Sequence, residues 1–108
     1  MLYTIDELRE IVSPIAEKYR LKSVSLFGSY ARGTATENSD VDLLIDTAGT
    51  DLDSLFRLGA LYDELSRALR CEIDLVTVSS LEQPPIRESD AAFRQNVIRE
   101  RRALYAVA

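Results

Sequence analysis

The chain has 108 residues, 46% of them hydrophobic and 29% charged, which is the composition of one globular domain over residues 1–108 and excludes a disordered chain. Thirteen basic and eighteen acidic residues leave a net charge of -5, which argues against direct nucleic-acid binding because phosphate contacts need a basic face. The sequence contains no histidine, so Ser-His-Asp and Cys-His catalysis and His-based zinc sites are excluded.

The compartment is indicated by what the sequence lacks. Cys71 is the single cysteine, so it cannot form an internal disulfide, and this suits a reducing cytoplasm. No charged-then-apolar leader opens the chain, and no apolar run approaches the roughly 20 residues of a membrane span. We therefore expect a cytoplasmic protein without membrane contact.

The first half of the chain predicts a helix, a strand and a single helical turn. Thr4 and Glu7 fit a capping box that opens a helix over about residues 5–20, in which Pro14 is expected to introduce a kink. Residues 23–27 alternate between polar and apolar side chains and predict a short strand. A turn and one helical turn follow over residues 28–33, and a polar loop then leads to the next strand.

The second half predicts two further strands, two helices and an edge strand. A second strand covers residues 40–46 and a third covers residues 72–78, and a last helix over about residues 89–101 precedes an edge strand near residues 104–107. The helix between the second and third strands is expected to be capped by Thr50 or Asp51. Its core stripe is expected to be Leu55, Leu58, Tyr62, Leu65 and Leu69.

The order of these elements predicts an α+β fold. Its simplest packing is a mixed three- or four-stranded sheet with helices packed on one face. The other face, or one end of the sheet, would be left open, and a site could lie there.

Two aspartates separated by one residue lie on the second strand, and the third strand repeats the pattern. Asp40 and Asp42 point to the same face, about 7 Å apart along the strand, and Asp74 can meet them if the two strands are neighbours. Converging carboxylates without His or Cys suit hard cations such as Mg²⁺ or Mn²⁺, and two such ions can clamp an in-line phosphoryl displacement. Solvated strand-end aspartates are the alternative interpretation.

A Gly-Ser pair precedes the aspartates in the stretch FGSYARGTATENSDVD over residues 27–42. Gly28 allows a sharp turn that brings backbone N–H groups near a ligand, and a helical turn starting there offers donors to a phosphate. The Ser29 hydroxyl can add a hydrogen bond, although Ser29 could instead be only a helix N-cap. A phosphate cradle opposite an acidic strand would form a nucleotide site.

These residues resemble the signature of the nucleotidyltransferase superfamily that includes DNA polymerase beta. That signature is Gly-Ser, a spacer of about ten residues, Asp-x-Asp and a later third carboxylate, and it is matched by Gly28-Ser29, Asp40-Val41-Asp42 and Asp74. The longer strings LFGSYARG and SDVDL are similar to the minimal nucleotidyltransferase (MNT) branch, whose members serve as antitoxins to HEPN-domain ribonucleases. The resemblance implies a polymerase beta-like fold over nearly the whole chain.

The resemblance also implies a role for each motif residue. Gly28 and Ser29 would hold the β- and γ-phosphates of ATP, Asp40 and Asp42 would bind Mg²⁺, with two ions expected, and Asp74 would bind the catalytic metal and help to deprotonate the acceptor. Arg32 would either contact a phosphate or form a structural ion pair with an acidic neighbour.

The acceptor is the least determined part of this interpretation. A chain of this length leaves no room for an acceptor-binding domain, so the acceptor is expected on another molecule. The MNT resemblance implies a tyrosine of a cognate HEPN toxin, modified with AMP from ATP within a hetero-oligomer. An antitoxin that acts by binding alone and nucleotidyl transfer to a small molecule are the alternatives.

Overall fold

The computed structural model describes residues 2–50, 52, 54–82 and 88–107, except for the side chains of residues 82 and 88–90. In chain order the elements are α1 (Ile5–Lys18), β1 (Ser23–Phe27), α2 (Gly28–Arg32), β2 (Val41–Asp46), α3 (Leu55–Leu69), β3 (Ile73–Thr77), α4 (Val78–Glu82), α5 (Glu88–Glu100) and β4 (Arg102–Ala106).

The four strands form one mixed sheet in the order β3-β2-β1-β4, as the predicted fold class requires. β1 pairs antiparallel with both β2 and β4, whereas β2 and β3 run parallel because α3 connects them as a crossover. The parallel register places Asp42 directly beside Asp74, and the antiparallel register places Asp42 beside Phe27. The sheet thus brings the two predicted carboxylates and the end of β1 together.

The first helix forms where its local signals predict it. Thr4 Oγ1 accepts a hydrogen bond from the Glu7 amide at 3.1 Å, and Glu7 Oε1 accepts one from the Thr4 amide at 2.9 Å. This capping box satisfies two of the amides that a helix start leaves unpaired. α1 runs through Pro14 and ends at Lys18, two residues earlier than expected.

α1 and α3 cover one face of the sheet and bury its aliphatic side chains. The alternate residues of β2 on this face are completely inaccessible to solvent, and so are the central residues of both helices. The main members of this core are Leu8, Val12, Val24, Leu26, Val41, Leu43, Ile45, Leu61, Leu65 and Leu69.

The opposite face is only partly open, which corrects the expectation that helices pack on one face alone. Phe27 and Leu44 point to this face, and Val97 of α5 covers them in a second, smaller buried cluster. Side-chain alternation is the physical reason, because it places an apolar Leu44 on the same face as Asp42, and that leucine needs cover. α5 therefore lies beside the acidic end of the sheet.

Two predictions for α3 are wrong in detail. Its N-cap is Ser54. The Thr50 side chain instead accepts a hydrogen bond from the Leu52 amide at 3.2 Å within the preceding loop, and Asp51 lies outside the described residues. Leu65 and Leu69 are buried as expected, but Leu55 is 87% exposed and Tyr62 is 43% exposed. The helix is rotated so that Leu61 lies at the centre of its buried face.

The remaining elements shift by a few residues from their predicted bounds. β3 ends at Thr77 rather than at residue 78, and the short helix α4 follows it directly. β4 confirms the predicted edge strand and starts at Arg102. In the described part of the chain, no helix is both long enough and apolar enough to cross a membrane.

Candidate active site

Gly28 is required where β1 turns into α2. Its φ of +72° lies in the left-handed region that favours glycine. A Cβ at this position would overlap Oδ2 of Asp42 and would lie 3.1 Å from its Cγ. The Asp42 carboxylate therefore packs directly against the backbone of the Gly-Ser turn, so the two halves of the motif form one site.

Asp42 and Asp74 form a carboxylate pair across the parallel strands. The parallel register places the two residues side by side, and both line the same cavity. Burial raises the pKa of Asp42 from 3.8 to about 6, with further increases from the hydrogen bond to Asp74 and from the charges of Asp74 and Asp40. The nearby Arg32 guanidinium opposes this rise.

Asp40 lies at the edge of this pair. It was expected within the second strand, but β2 starts one residue later, and the Asp40 side chain is exposed. Within residues 2–50, 52, 54–82 and 88–107, no three His, Cys, Asp or Glu side chains are gathered closely enough to hold a metal ion. The structure thus brings Asp42 and Asp74 together, while the charge of Asp40 contributes to the raised pKa of Asp42.

The donor set nevertheless fits a divalent cation. Asp42 and Asp74 offer only oxygen atoms, which are the ligands that Mg²⁺ and Mn²⁺ prefer. The charge of Asp74 contributes to the raised pKa of Asp42, and a bound cation would relieve the repulsion between these two like charges. Asp40, exposed one residue before β2, could supply a third carboxylate after a change of rotamer.

A cavity of about 480 Å³, which we call the central cavity, opens beside the carboxylate pair. Its lining includes five of the six site residues predicted from the sequence, all except Asp40. The complete lining is Phe27, Gly28, Ser29, Arg32, Asp42, Asp74, Leu75, Val76, Phe93, Asn96, Val97 and Glu100.

Ser29 is the second residue of α2 and not its cap. The N-cap is Phe27, and no side chain caps this short helix, so the N-cap alternative for Ser29 is wrong. The Ser29 side chain is half-buried on the cavity wall, where its hydroxyl makes no hydrogen bond to the described residues. The hydroxyl is therefore available to a ligand.

Arg32 pairs with an acidic neighbour, as one of its two predicted roles requires. Its Nη1 lies 3.0 Å from Oε2 of Glu100 on α5, and both side chains line the central cavity. The positive charge of the Arg32 guanidinium opposes the rise in the pKa of Asp42, so this charge acts at the carboxylate pair. Arg32 is therefore part of the site through its charge and its place in the cavity lining.

The wall supplied by α5 was not anticipated from the sequence. Phe93, Asn96 and Glu100 all line the cavity, and the Phe93 ring meets Phe27 edge-on with a centroid distance of 6.0 Å. Phe93 is 45% exposed, which is unusual for a large aromatic side chain. A phenylalanine within a largely polar helix was the sequence signal that could have suggested this wall.

Comparisons with known proteins agree with this geometry. A family model described as "Nucleotidyltransferase domain" matches residues 5–104. A Methanocaldococcus jannaschii protein named "Putative protein adenylyltransferase MJ0126" is 40% identical over 90 residues, covering 80% of this chain and 90% of that protein. "Protein adenylyltransferase MntA" of Thermococcus cleftensis is 34% identical over 84 residues, covering 74% of this chain and 83% of that protein.

A solved structure shares the fold as well. The crystal structure of a toxin–antitoxin with AMP-PNP superposes with a TM-score of 0.69 at 25% identity, covering 92% of this chain and 73% of that chain. The resemblance deduced from the Gly-Ser and Asp-x-Asp motifs is confirmed. With the family model matching residues 5–104 and the motif residues assembled around one cavity, the chain belongs to the nucleotidyltransferase domain family.

Proposed function

We propose that this chain is a Mg²⁺-dependent protein adenylyltransferase that moves AMP from ATP to a tyrosine of a cognate HEPN-domain toxin and so acts as an antitoxin. The observation that carries this proposal is the Asp42–Asp74 pair at the central cavity, with Asp42 packed against Gly28. The relatives named as protein adenylyltransferases and the similar toxin–antitoxin structure support the reaction and the class of partner.

The central cavity is the proposed ATP site. Gly28 and Ser29 would receive the β- and γ-phosphates, because both residues line the central cavity and the Ser29 hydroxyl makes no hydrogen bond to the described residues. Phe93 offers an exposed ring face on which a base can stack. The similar structure with AMP-PNP supports a nucleoside triphosphate as the ligand.

Asp42 and Asp74 would hold the metal, with Asp40 as the third carboxylate. A bound Mg²⁺ would neutralise the triphosphate charge that these acidic residues otherwise repel. The raised pKa of Asp42 means that a proton partly compensates this repulsion in the free protein. Metal binding and loss of that proton are therefore expected to be coupled.

The proposed reaction is an in-line displacement at the α-phosphorus of ATP. The phenolic oxygen of the tyrosine forms the new P–O bond, and the bond from the α-phosphorus to the bridging oxygen of the β-phosphate breaks. Pyrophosphate leaves with that electron pair, and the Asp74 carboxylate accepts the phenolic proton. Ser29 and Arg32 would orient the phosphates during this step. The AMP group adds a charged phosphate and a base to the toxin, which would obstruct RNA at a ribonuclease site.

The test combines the purified chain with a HEPN toxin, ATP and Mg²⁺, followed by intact mass spectrometry of the toxin. We expect the toxin to gain one or more AMP groups with the wild-type chain. Asp42→Asn and Asp74→Asn should abolish this gain, while Asp46→Asn, the same charge change farther along β2, should retain it. An unchanged toxin mass with the wild-type chain would refute the transferase proposal.

A cellular assay separates catalysis from simple binding. Each variant is expressed together with the toxin, and growth is measured. The transferase proposal expects Asp42→Asn to lose protection while it still co-purifies with the toxin. Full protection by Asp42→Asn would instead identify an antitoxin that acts by binding alone.

A further inference from the structure

α5 presents one row of side chains to the central cavity. Phe93, Asn96, Val97 and Glu100 lie at positions i, i+3, i+4 and i+7, which form one face of a helix. An aromatic ring therefore lies at one end of this row and a carboxylate at the other, with the Asn96 amide about one turn from each. The row connects the wall on which the base is proposed to stack with the wall that holds Arg32.

The position of this row is fixed by packing. Val97 is buried in one cluster with Phe27 and Leu44 of the sheet, and the Phe93 ring meets the Phe27 ring at a centroid distance of 6.0 Å. Asn96 lies between Phe93 and Val97 in the helix, so its backbone is held in place without a ligand. A polar group on such a fixed element loses less entropy on binding than one on a mobile segment.

Asn96 is the polar side chain of the cavity that has no role in the reaction proposed above. The other polar side chains of the lining already have a place in that site, and they are Ser29, Arg32, Asp42, Asp74 and Glu100. The Asn96 side chain is exposed and makes no hydrogen bond to the described residues. A side-chain amide carries two N–H donors and one oxygen acceptor, and both kinds of group are available here to a ligand.

We propose that Asn96 selects the nucleobase by pairing its side-chain amide with the N6 and N7 edge of an adenine that stacks on Phe93. This inference rests on the proposed function, in which the central cavity holds ATP. In this pairing, Oδ1 of Asn96 accepts a hydrogen bond from the adenine N6 amino group, and Nδ2 donates one to N7. Residues three apart on a helix have Cβ atoms roughly 5–6 Å apart, so the amide can reach the edge of a base on the Phe93 ring.

The same amide discriminates against guanine. Guanine presents the acceptor O6 where adenine presents its N6 amino group, and N7 is an acceptor in both bases. Oδ1 of Asn96 would then face another oxygen atom, so one of the two hydrogen bonds is lost and a polar group is left unpaired. We therefore expect the site to prefer ATP to GTP by about tenfold, which is the discrimination that one bidentate pair between an amide and a base provides.

The base preference can be measured without any transfer reaction. Isothermal titration calorimetry compares non-hydrolysable analogues of ATP and GTP, each with Mg²⁺, on the wild-type chain and on Asn96→Leu. The wild type should bind the ATP analogue about tenfold more tightly, whereas Asn96→Leu should bind both with similar Kd because only the affinity for ATP falls. The matched control is Gln95→Leu, which removes an amide from the exposed neighbouring residue outside the cavity lining and should keep the preference.

A change in the ligand provides the second test, and its first measurement needs no variant. In 7-deaza-ATP a C–H group replaces N7, so the acceptor for Nδ2 of Asn96 is removed while the triphosphate is intact. The wild type should bind 7-deaza-ATP about fivefold more weakly than ATP, which corresponds to the loss of one hydrogen bond. Asn96→Leu should bind the two nucleotides equally. Circular dichroism melting confirms that each variant is folded.

The outcomes separate the two proposals. Equal affinity of the wild type for the ATP and GTP analogues, or a preference that Asn96→Leu retains, would overturn the role of Asn96 while keeping the ATP site. If Asn96→Leu weakens both analogues by the same factor, the residue has a structural role and the base assignment is wrong. Binding of neither analogue by the wild type would refute the ATP site together with this inference. Absence of transfer to the toxin would refute the transferase function, and the calorimetry would still decide the base preference.

Discussion

Replacing Asp42 by asparagine should stabilise the fold at neutral pH while abolishing nucleotidyl transfer. Asp42 is half-buried against Gly28, beside Asp74 and within the field of Asp40. Asparagine has nearly the same shape, carries no charge and can donate its amide N–H to Asp74. The substitution therefore removes repulsion and desolvation and keeps the contact.

The size of the gain follows from the pKa of Asp42. Because the pKa rises from 3.8 to about 6 on folding, the folded state holds the proton more tightly than the unfolded state. The contribution of Asp42 protonation to the free energy of unfolding is fully present below pH 4. This contribution is lost as the pH rises through about 6. The whole rise corresponds to about 3 kcal/mol, and solvent screening of a half-exposed group reduces it to about 1 kcal/mol.

The assay is thermal unfolding of wild type and Asp42→Asn from pH 4 to pH 8 in EDTA. At pH 8 the variant should unfold about 4 °C higher, as expected for about 1 kcal/mol in a domain of this size. At pH 4 the two proteins should unfold together, because Asp42 is then protonated in the wild type. Adding Mg²⁺ and ATP should raise the unfolding temperature of the wild type far more than that of the variant.

Asp46→Asn is the matched control, since it lies on the same strand and its Oδ1 acceptor for the Ala48 amide is retained by asparagine. It should show no comparable pH-dependent gain. A variant Asp42→Asn that is less stable than wild type at pH 8, or whose gain is the same at pH 4 and pH 8, would show that the carboxylate pair is not a source of repulsion.

Three further predictions test the walls of the central cavity. Gly28→Ala should destabilise the fold by about 2 kcal/mol or more and abolish ATP binding. Gly33→Ala should cost only about 1–2 kcal/mol, because Gly33 has a similar φ of 79° but open space where its Cβ would lie. Equal losses of stability in chemical denaturation would contradict the steric argument. If Arg32 turns to the phosphates, Arg32→Gln should weaken ATP binding about tenfold and Glu100→Gln should strengthen it. If calorimetry finds both Kd values for ATP unchanged, Arg32 has only a structural role. Phe93→Ala should raise the Kd for ATP about five- to tenfold through lost stacking, with little effect on kcat, and an unchanged Kd would remove the base from this wall.

Local patterns in the sequence were sufficient for most elements and for the motif. The capping box at Thr4 and Glu7 depends on residues three apart, and the alternation in β1 depends on residues two apart, so both are legible without the fold. The Gly-Ser turn was predictable because a left-handed φ at Gly28 is available to few other residues. The family followed from the spacing of these residues to the carboxylates.

Long-range packing set the features that the sequence did not reveal. The parallel pairing of β2 with β3 places Asp42 beside Asp74, and this depends on the path of a helix between them. The docking of α5 on Leu44 adds Phe93 to the cavity, and the rotation of α3 leaves Leu55 exposed beside Asp74. Such arrangements minimise the apolar surface that the whole chain exposes to water. Every element contributes to this exposed surface, so a short window of sequence cannot predict the arrangements.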